Sequence, residues 1–265
     1  MSAKVVAGTS GYSYSDWVGP FYPAGMKQGD FLSFYSQHFT MIELNFTYYR
    51  QPEQTTLRRM AQITAKEFGF SIKAHRTLTH EIDLSATAKE TQTFIKGIEP
   101  VAGCGKLISV LFQFPFSFHY TSDNRIYLDS LFRGFGETPL AVEFRNREWL
   151  RDTVFNELKD RKITFVNVDE PRLENLPLPS SRVTSDTGYV RFHGRNKENW
   201  WSGDNVSRYD YLYSDKELAE WIPGIKEMVE RTGVVLLVFN NHSKGYAVNN
   251  ALRLKEMVNK VLEKQ

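Results

Sequence analysis

Leu140-Ala-Val-Glu-Phe-Arg145 is an apolar run that turns polar at alternate positions just before a loop. Four other segments have the same form: Ile42-Glu-Leu-Asn-Phe-Thr47, Phe70-Ser-Ile-Lys-Ala-His75, Phe165-Val-Asn-Val-Asp169 and Tyr189-Val-Arg-Phe-His-Gly-Arg195. Side chains of a strand alternate between faces. Glu143 and Arg145 therefore share a face, as do Glu43 and Asn45, Lys73 and His75, Asn167 and Asp169, and Arg191, His193 and Arg195. The other face of each strand is apolar. Charge at strand ends is costly to bury unless it is paired or used, so the pattern points to a site.

Working outward, eight short runs rich in Val, Ile and Phe read as strands: 4–7, 41–46, 68–75, 107–114, 140–145, 164–169, 189–193 and 234–240. Helical periodicity lies between most of them, over 30–39, 52–66, 85–101, 123–135, 149–161, 215–231 and 249–262. Ser214 with Glu217 forms a capping box at the start of the sixth of these. The alternation predicts an α/β fold, a single distorted (β/α)8 TIM-like barrel, with residues 1–265 as one domain. Segment 170–188 holds three prolines and no helical pattern, so the crossover after strand six is expected to be irregular.

The bulk numbers agree with such a barrel, which commonly takes about 250 residues. The chain has 265 residues, 41% hydrophobic and 24% charged, with a net charge of +2. That charge does not by itself imply nucleic acid, so any basic patch is local. Cys104 is the single cysteine, which excludes a disulfide within the chain; in Gly103-Cys-Gly105 with no base partner in view it reads as a small packing residue. The opening residues lack a basic region followed by a long apolar run, so no signal peptide is expected, and no stretch approaches the ~18 apolar residues of a membrane span. A soluble cytoplasmic protein without a membrane partner is expected.

Active sites of these barrels lie at the carboxyl ends of the strands. Glu43, Asn45, Lys73, His75, Gln113, Glu143, Arg145, Asn167, Asp169, Arg191, His193, Arg195, Asn240, Asn241 and His242 fall there and are expected to converge on one mouth. Lys73, Arg145, Arg191 and Arg195 face Glu43, Glu143 and Asp169, leaving one positive charge over. Arginine forks match phosphate or carboxylate, so the surplus suits an anionic ligand. The alternative is a self-satisfied ion-pair network that plugs the barrel. Glu43 and Glu143 could also serve as the carboxylate pair of a glycoside hydrolase, or simply as partners for arginine. His75, His193 and the acids are competent metal ligands, but no HxH, HxxxH or CxxC spacing groups them, so no metal and no cofactor is expected.

Gly8-Thr-Ser-Gly11 lacks the features of a phosphate loop and reads as a turn. His38, His80 and His119 read as helix-end, loop or capping residues. Aromatics crowd two loops: Tyr12, Tyr14, Trp17, Phe21 and Tyr22 after strand one, and Trp200, Trp201, Tyr209, Tyr211 and Tyr213 after strand seven. These loops either carry their own small core or offer rings to bases and sugars, with Tyr14, Trp17 and Trp200 as candidate lining residues.

The motifs in order resemble the DUF72 family, also called YecE-like proteins. They are Gly8-Thr-Ser-Gly-Tyr-Ser-Tyr14 with Trp17, Gly19 and Phe21-Tyr-Pro23; Glu43-Leu-Asn45 with Thr47-Tyr48-Tyr49 and Pro52; Lys73-Ala-His-Arg76 with Thr79-His80; Gln113-Phe-Pro115; Glu143-Phe-Arg145 with Trp149; Asp169 with Pro171; Arg191-Phe-His-Gly-Arg195; and Phe239-Asn-Asn241 with Gly245 and Ala247. Tyr12, Phe46 and Phe116 depart from that pattern, in ways that change pocket shape more than charge. The resemblance implies a TIM-barrel fold and carries no activity.

The functional expectation is recognition and turnover, by a hydrolase or lyase, of an anionic ligand such as a phosphate ester or a nucleic-acid fragment. Arg145, Arg191 and Arg195 would bind the anion, with Asn45, Lys73, Gln113, Asn240 and Asn241 around it. Glu43 or Glu143 would act as general base and His193 or His75 as general acid, with Asp169 beside them. The alternatives are a carbohydrate-active enzyme using Glu43 and Glu143, and a non-catalytic nucleic-acid-binding protein using the aromatic loops and basic rim.

Overall fold

Eight apolar runs too short for helices become the parallel strands β1 (Lys4–Thr9), β2 (Met41–Leu44), β3 (Gly69–Lys73), β4 (Leu107–Phe114), β5 (Leu140–Phe144), β6 (Thr164–Asp169), β7 (Thr187–Phe192) and β8 (Val234–Phe239). The computed structural model describes residues 4–204 and 206–263. The strands are hydrogen-bonded in the order β1-β8-β7-β6-β5-β4-β3-β2, a nearly closed barrel. Amphipathic periodicity places helices between them: α1 (Phe31–His38), a short α2 (Phe46–Tyr49), α3 (Gln54–Ile63), α4 (Thr87–Ala102), α5 (Ser122–Gly134), α6 (Asp152–Asp160), α7 (Asp215–Ala219), α8 (Ile222–Arg231) and α9 (Tyr246–Leu262). The expected helix over 215–231 is in fact two, broken before Pro223, which stands at the start of α8. The Ser214–Glu217 capping box opens α7. Cys104, expected to pack, is instead exposed with a free thiol, because the whole turn after α4, residues 102–105, is exposed.

The barrel has two weak places. β1 and β2 meet at a bridge between Ser10 and Glu43, where Gly11 N donates to Glu43 O at 2.8 Å. Gly8 lets the two strands come this close: a Cβ there would lie 2.8 Å from Met41 O. The β5–β6 ladder is also short, ending at Val142 and Phe165. Residues 170–186 contain no helix, as expected, and the segment folds back over the outer face of β6. Among the described residues no helix is long and apolar enough to cross a membrane.

Side chains inside the barrel change character along its axis. The lower interior is apolar, with Val6, Met41, Leu111, Ala141, Val166, Tyr189, Leu236 and Val238 in one buried cluster. One alternation further toward the carboxyl ends the interior positions are Glu43, Lys73, Gln113, Glu143 and Arg191. This largely apolar layer is thus a floor beneath a polar upper layer. A larger apolar shell, rich in Phe and Leu, packs the outside of the sheet against the helices.

We expect Gly8→Ala to force the β1–β2 seam apart and to cost about 1–3 kcal/mol, the usual range for overpacking. Urea unfolding at neutral pH measures it; an unchanged midpoint would mean the seam is compliant.

Candidate functional site

Arg191, rooted on β7 and fully buried, spans the barrel interior. Its Nη1 donates to Glu143 Oε2 at 2.6 Å and its Nη2 to Glu43 Oε1 at 2.7 Å. Glu43 also accepts from Ser10 Oγ and, at 2.6 Å, from the Tyr189 hydroxyl. Arg145, at the end of β5, donates through Nε to Glu143 Oε1 at 2.5 Å and through Nη1 to Glu170 Oε2 at 2.7 Å. This second bond links β5 to the end of β6 where their backbone ladder has stopped.

His193 lies fully buried against this network, with Nε2 3.2 Å from Glu143 Oε1 and Nδ1 accepting from Asn240 Nδ2 at 3.1 Å. Burial, with Arg145 nearby, lowers its pKa to about 3, so the ring is neutral. Burial alone would raise the Glu143 carboxyl, but Arg145 and Arg191 outweigh it and hold the group well below the usual carboxylate range. Glu170 goes the other way. Its Oε1 has no partner, and burial, only partly offset by Arg145, raises it to about 8. With Glu170 protonated at neutral pH, two arginines face two carboxylates, Glu43 and Glu143.

Above the network opens a cavity of about 690 Å³ at the carboxyl ends of the strands. Among the described residues five cationic side chains line it, Lys73, Arg76, Arg145, Arg191 and Arg208, and no carboxylate does. The acids lie behind the guanidiniums. Seven aromatic side chains complete the wall: Tyr14, Tyr48, Tyr49, Phe116, Trp200, Trp201 and Tyr209. Arg145 lies 5.3 Å over the Trp200 ring, and Tyr14 stacks on His242 at 4.6 Å. Lys73 Nζ donates to Gln113 Oε1 at 2.8 Å and sits 4.4 Å over Tyr48. Burial, then Arg191, lowers Lys73 to about 7. His80, half-buried and facing Lys73, falls to about 4.

Of the positions expected at the mouth, Asn45, Lys73, Gln113, Arg145, Arg191, Asn240, Tyr14 and Trp200 line the cavity. Glu43, Glu143 and His193 lie directly beneath it. Four do not belong there. Asn167 and Asp169 point to the outer face of β6, because Val166 and its parity fill the barrel interior. Asn167 accepts from Ser180 Oγ at 2.7 Å and Arg182 N at 2.9 Å, both in the irregular crossover. Asp169 is held by Tyr213 and Trp221, each at 2.7 Å, and by a two-pronged bond from Arg195. Arg195 itself leaves the barrel because Gly194, with φ +89°, turns the chain outward. Asn241 is one residue out of phase with Asn240 and bonds Tyr211 O and Asn250 instead.

His75 and Trp17 are also elsewhere than expected. β3 has ended by His75, whose Nδ1 caps the turn at Thr77. His80, read as a loop residue, takes the cavity position. Trp17 is fully buried and donates to His242 O at 2.6 Å, supporting Tyr14 at 4.9 Å from behind. Sequence reasoning missed Glu170, Tyr48, Tyr49, Arg76, Arg208 and Phe116 as site residues. Glu170 had a signal, since Val166, Val168 and Glu170 share a parity. Among the described residues no three His, Cys, Asp or Glu side chains are grouped as metal ligands.

A family model described as "Protein of unknown function DUF72" matches residues 6–265. The chain belongs to the DUF72 family. It is 29% identical to the UPF0759 protein YunF of Bacillus subtilis (strain 168), over 96% of this chain and 94% of that one. Among solved structures it resembles a DUF72 family protein from Thermotoga maritima at 38% identity and a TM-score of 0.88, covering 97% of this chain and 99% of the other. A DUF72 family protein from Enterococcus faecalis matches at 25% identity and a TM-score of 0.85, over 96% and 95%. The family assigns the barrel fold and names no substrate.

Two outcomes follow for this DUF72 chain. Arg191→Met leaves Glu43 and Glu143 buried without their shared cation, so we expect a loss of about 3–5 kcal/mol in urea unfolding. A loss below 1 kcal/mol would show the acids to be solvated or protonated. The second concerns pH. His193 is depressed to about 3 in the folded state, so the unfolded chain binds the extra proton between about pH 6.5 and 3. Stability therefore falls as pH drops through that window, and His193→Gln should flatten the slope by up to about 1.4 kcal/mol per pH unit. An unchanged slope would place the lost proton elsewhere.

Proposed function

We propose that this protein binds a small anionic molecule that carries a ring, such as a phosphate ester or a nucleotide-sized piece of nucleic acid. The observation that carries this reading is the layering of charge. Guanidinium groups and the Lys73 amine form the cavity surface, while the carboxylates that neutralise two of the guanidiniums lie beneath. Arginine forks suit phosphate and carboxylate oxygens, and the surrounding Tyr and Trp rings suit a base or sugar face. The volume is within the range of small-molecule pockets, roughly 300–1,000 Å³.

The geometry also redistributes the chemical roles. Glu43 and Glu143 do not line the cavity and are each bound by arginine, which disfavours the glycosidase reading. They act as positioning residues that hold Arg145 and Arg191. His193, buried and neutral, does the same through Asn240 and Glu143. Arg208 approaches from the loop after β7 and its Nε has no hydrogen-bond partner, so it is a rim group free to meet the ligand.

A thermal-shift panel tests the reading: adenosine 5′-monophosphate against adenosine, and ribose 5-phosphate against ribose. We expect stabilisation by the phosphorylated member of each pair and little by the neutral one. Arg208→Gln should weaken the phosphate ligand about tenfold, the effect of losing one charge-assisted hydrogen bond of roughly 1.5 kcal/mol. Equal shifts from neutral and phosphorylated partners would overturn the anionic assignment.

A further inference from the structure

Two lysines, Lys106 buried outside the barrel and Lys73 half-buried in the cavity wall, have opposite surroundings. Lys106 Nζ donates to Ala61 O at 2.6 Å, Thr64 O at 2.9 Å and Thr64 Oγ1 at 3.1 Å. All three of its donors are used, which is what a structural ammonium requires. Lys73 Nζ has one protein acceptor, Gln113 Oε1, and otherwise faces the cavity. Among the described residues it makes no ion pair, whereas Arg145 and Arg191 each hold two acidic side chains. Nearby in the same wall Asn45 Oδ1 and Arg191 Nε are buried without hydrogen-bond partners. An amine short of acceptors, beside arginines that can hold an anion, is arranged to meet a ligand that is anionic at one end and electrophilic at the other.

We propose that Lys73 is a nucleophilic amine that condenses with the aldehyde or ketone group of an anionic ligand to form an imine. The proposal rests on the anion-binding reading above and names the substrate class for it. The lone pair of neutral Nζ forms the new C–N bond as the C=O π pair moves to oxygen. One N–H proton passes to that oxygen and the second is lost as C–O breaks. One water leaves and a C=N bond remains, with no oxidant or reductant involved. The groups facing Nζ favour its neutral form. Loss of solvation in the cavity wall opposes the ammonium most, followed by Arg191 from β7 and, least, Arg145 at the end of β5. Glu143 and Glu43, engaged by those arginines, only partly offset this. His80 is neutral and Tyr48 offers its ring face. The Lys73 pKa of about 7 leaves a large share of free amine at neutral pH, against almost none for an exposed lysine.

Pyridoxal 5′-phosphate is a suitable probe, being a ring with a phosphate and an aldehyde. The wild-type protein is mixed with it at pH 7, reduced with borohydride, and the labelled lysines are mapped by peptide mass spectrometry. Its alcohol counterpart, pyridoxine 5′-phosphate, is run beside it in a thermal-shift assay. We expect Lys73 to be labelled about tenfold faster than exposed Lys27 or Lys197, with a rate that rises through pH 7 and levels off above it. Lys73→Arg should lose the fast phase of imine absorbance, and Lys106→Arg should keep it. Labelling of Lys73 no faster than Lys27 overturns the proposal. If the alcohol still stabilises the protein in that case, the anion site stands and only the imine falls; if it does not, both fall. Fast Lys73 labelling without stabilisation by the alcohol supports the nucleophile and removes the ring-anion reading.

Discussion

The guanidinium of Arg191, clamped between Glu43 and Glu143, is the interaction on which the rest of this structure depends. It ties β7 to β2 and β5 across the barrel interior. Glu43 in turn receives Ser10 and Tyr189, so the clamp also secures the β1–β2 seam where the backbone offers one bridge. Buried ion pairs of this kind are not the most stable filling for a core, since apolar residues of equal volume often do as well or better. Their presence above an apolar floor therefore calls for a reason other than stability. The proposed anion site supplies one in what the clamp presents upward: two arginine edges fixed in place, and a lysine beside them.

The residues that turned out not to line the cavity explain how its upper wall is held. Asp169, facing out of β6, gathers Arg195 and Tyr213 from the segments after β7 and Trp221 from just before α8. These are the ends of the long loop that carries Trp200, Arg208 and Tyr209 over the mouth. Tyr213 also accepts from Gly194 N at 2.8 Å, which fixes the point where the chain leaves the barrel. On the other side Trp17 props Tyr14 from below. The aromatic loops supply both a small core of their own and part of the cavity wall, with buried members supporting those that line it.

How far the sequence could be read follows from the same geometry. The strands were legible because a parallel barrel demands short apolar runs, and the polar alternation at their ends correctly marked the carboxyl rim. Alternation says which residues share a face, however, and not which face is inside. In β2, β3, β5 and β7 the polar face is the interior one. In β6 it is the exterior one, because the crossover over residues 170–186 supplies a polar covering where a helix would have supplied an apolar one. Phase was lost for the same reason beyond the strand ends, at His75, Arg195 and Asn241, where turns break the alternation. Tyr48, Arg76 and Arg208 belong to loops and short turns whose position over the mouth depends on tertiary folding alone.

The surplus of one positive charge expected from sequence was reached by counting Asp169 and Arg195, which leave the site together as a pair. The cavity is nonetheless positive, and distance explains it better than counting. An anion touching a guanidinium at about 4 Å gains about 4 kcal/mol at an effective dielectric of 20, while a carboxylate about 7 Å behind takes back about 2. An ion pair viewed end-on from its positive side therefore attracts an anion even though it is neutral overall. Arg145 and Arg191 are both viewed in this way from the cavity. Reversing the layers, with acids upward and arginines beneath, would preserve the composition, the net charge and the ion pairs, and would build a site for cations instead. Orientation of the pairs, set by which strand positions carry Glu and which carry Arg, is what the proposed anion preference rests on.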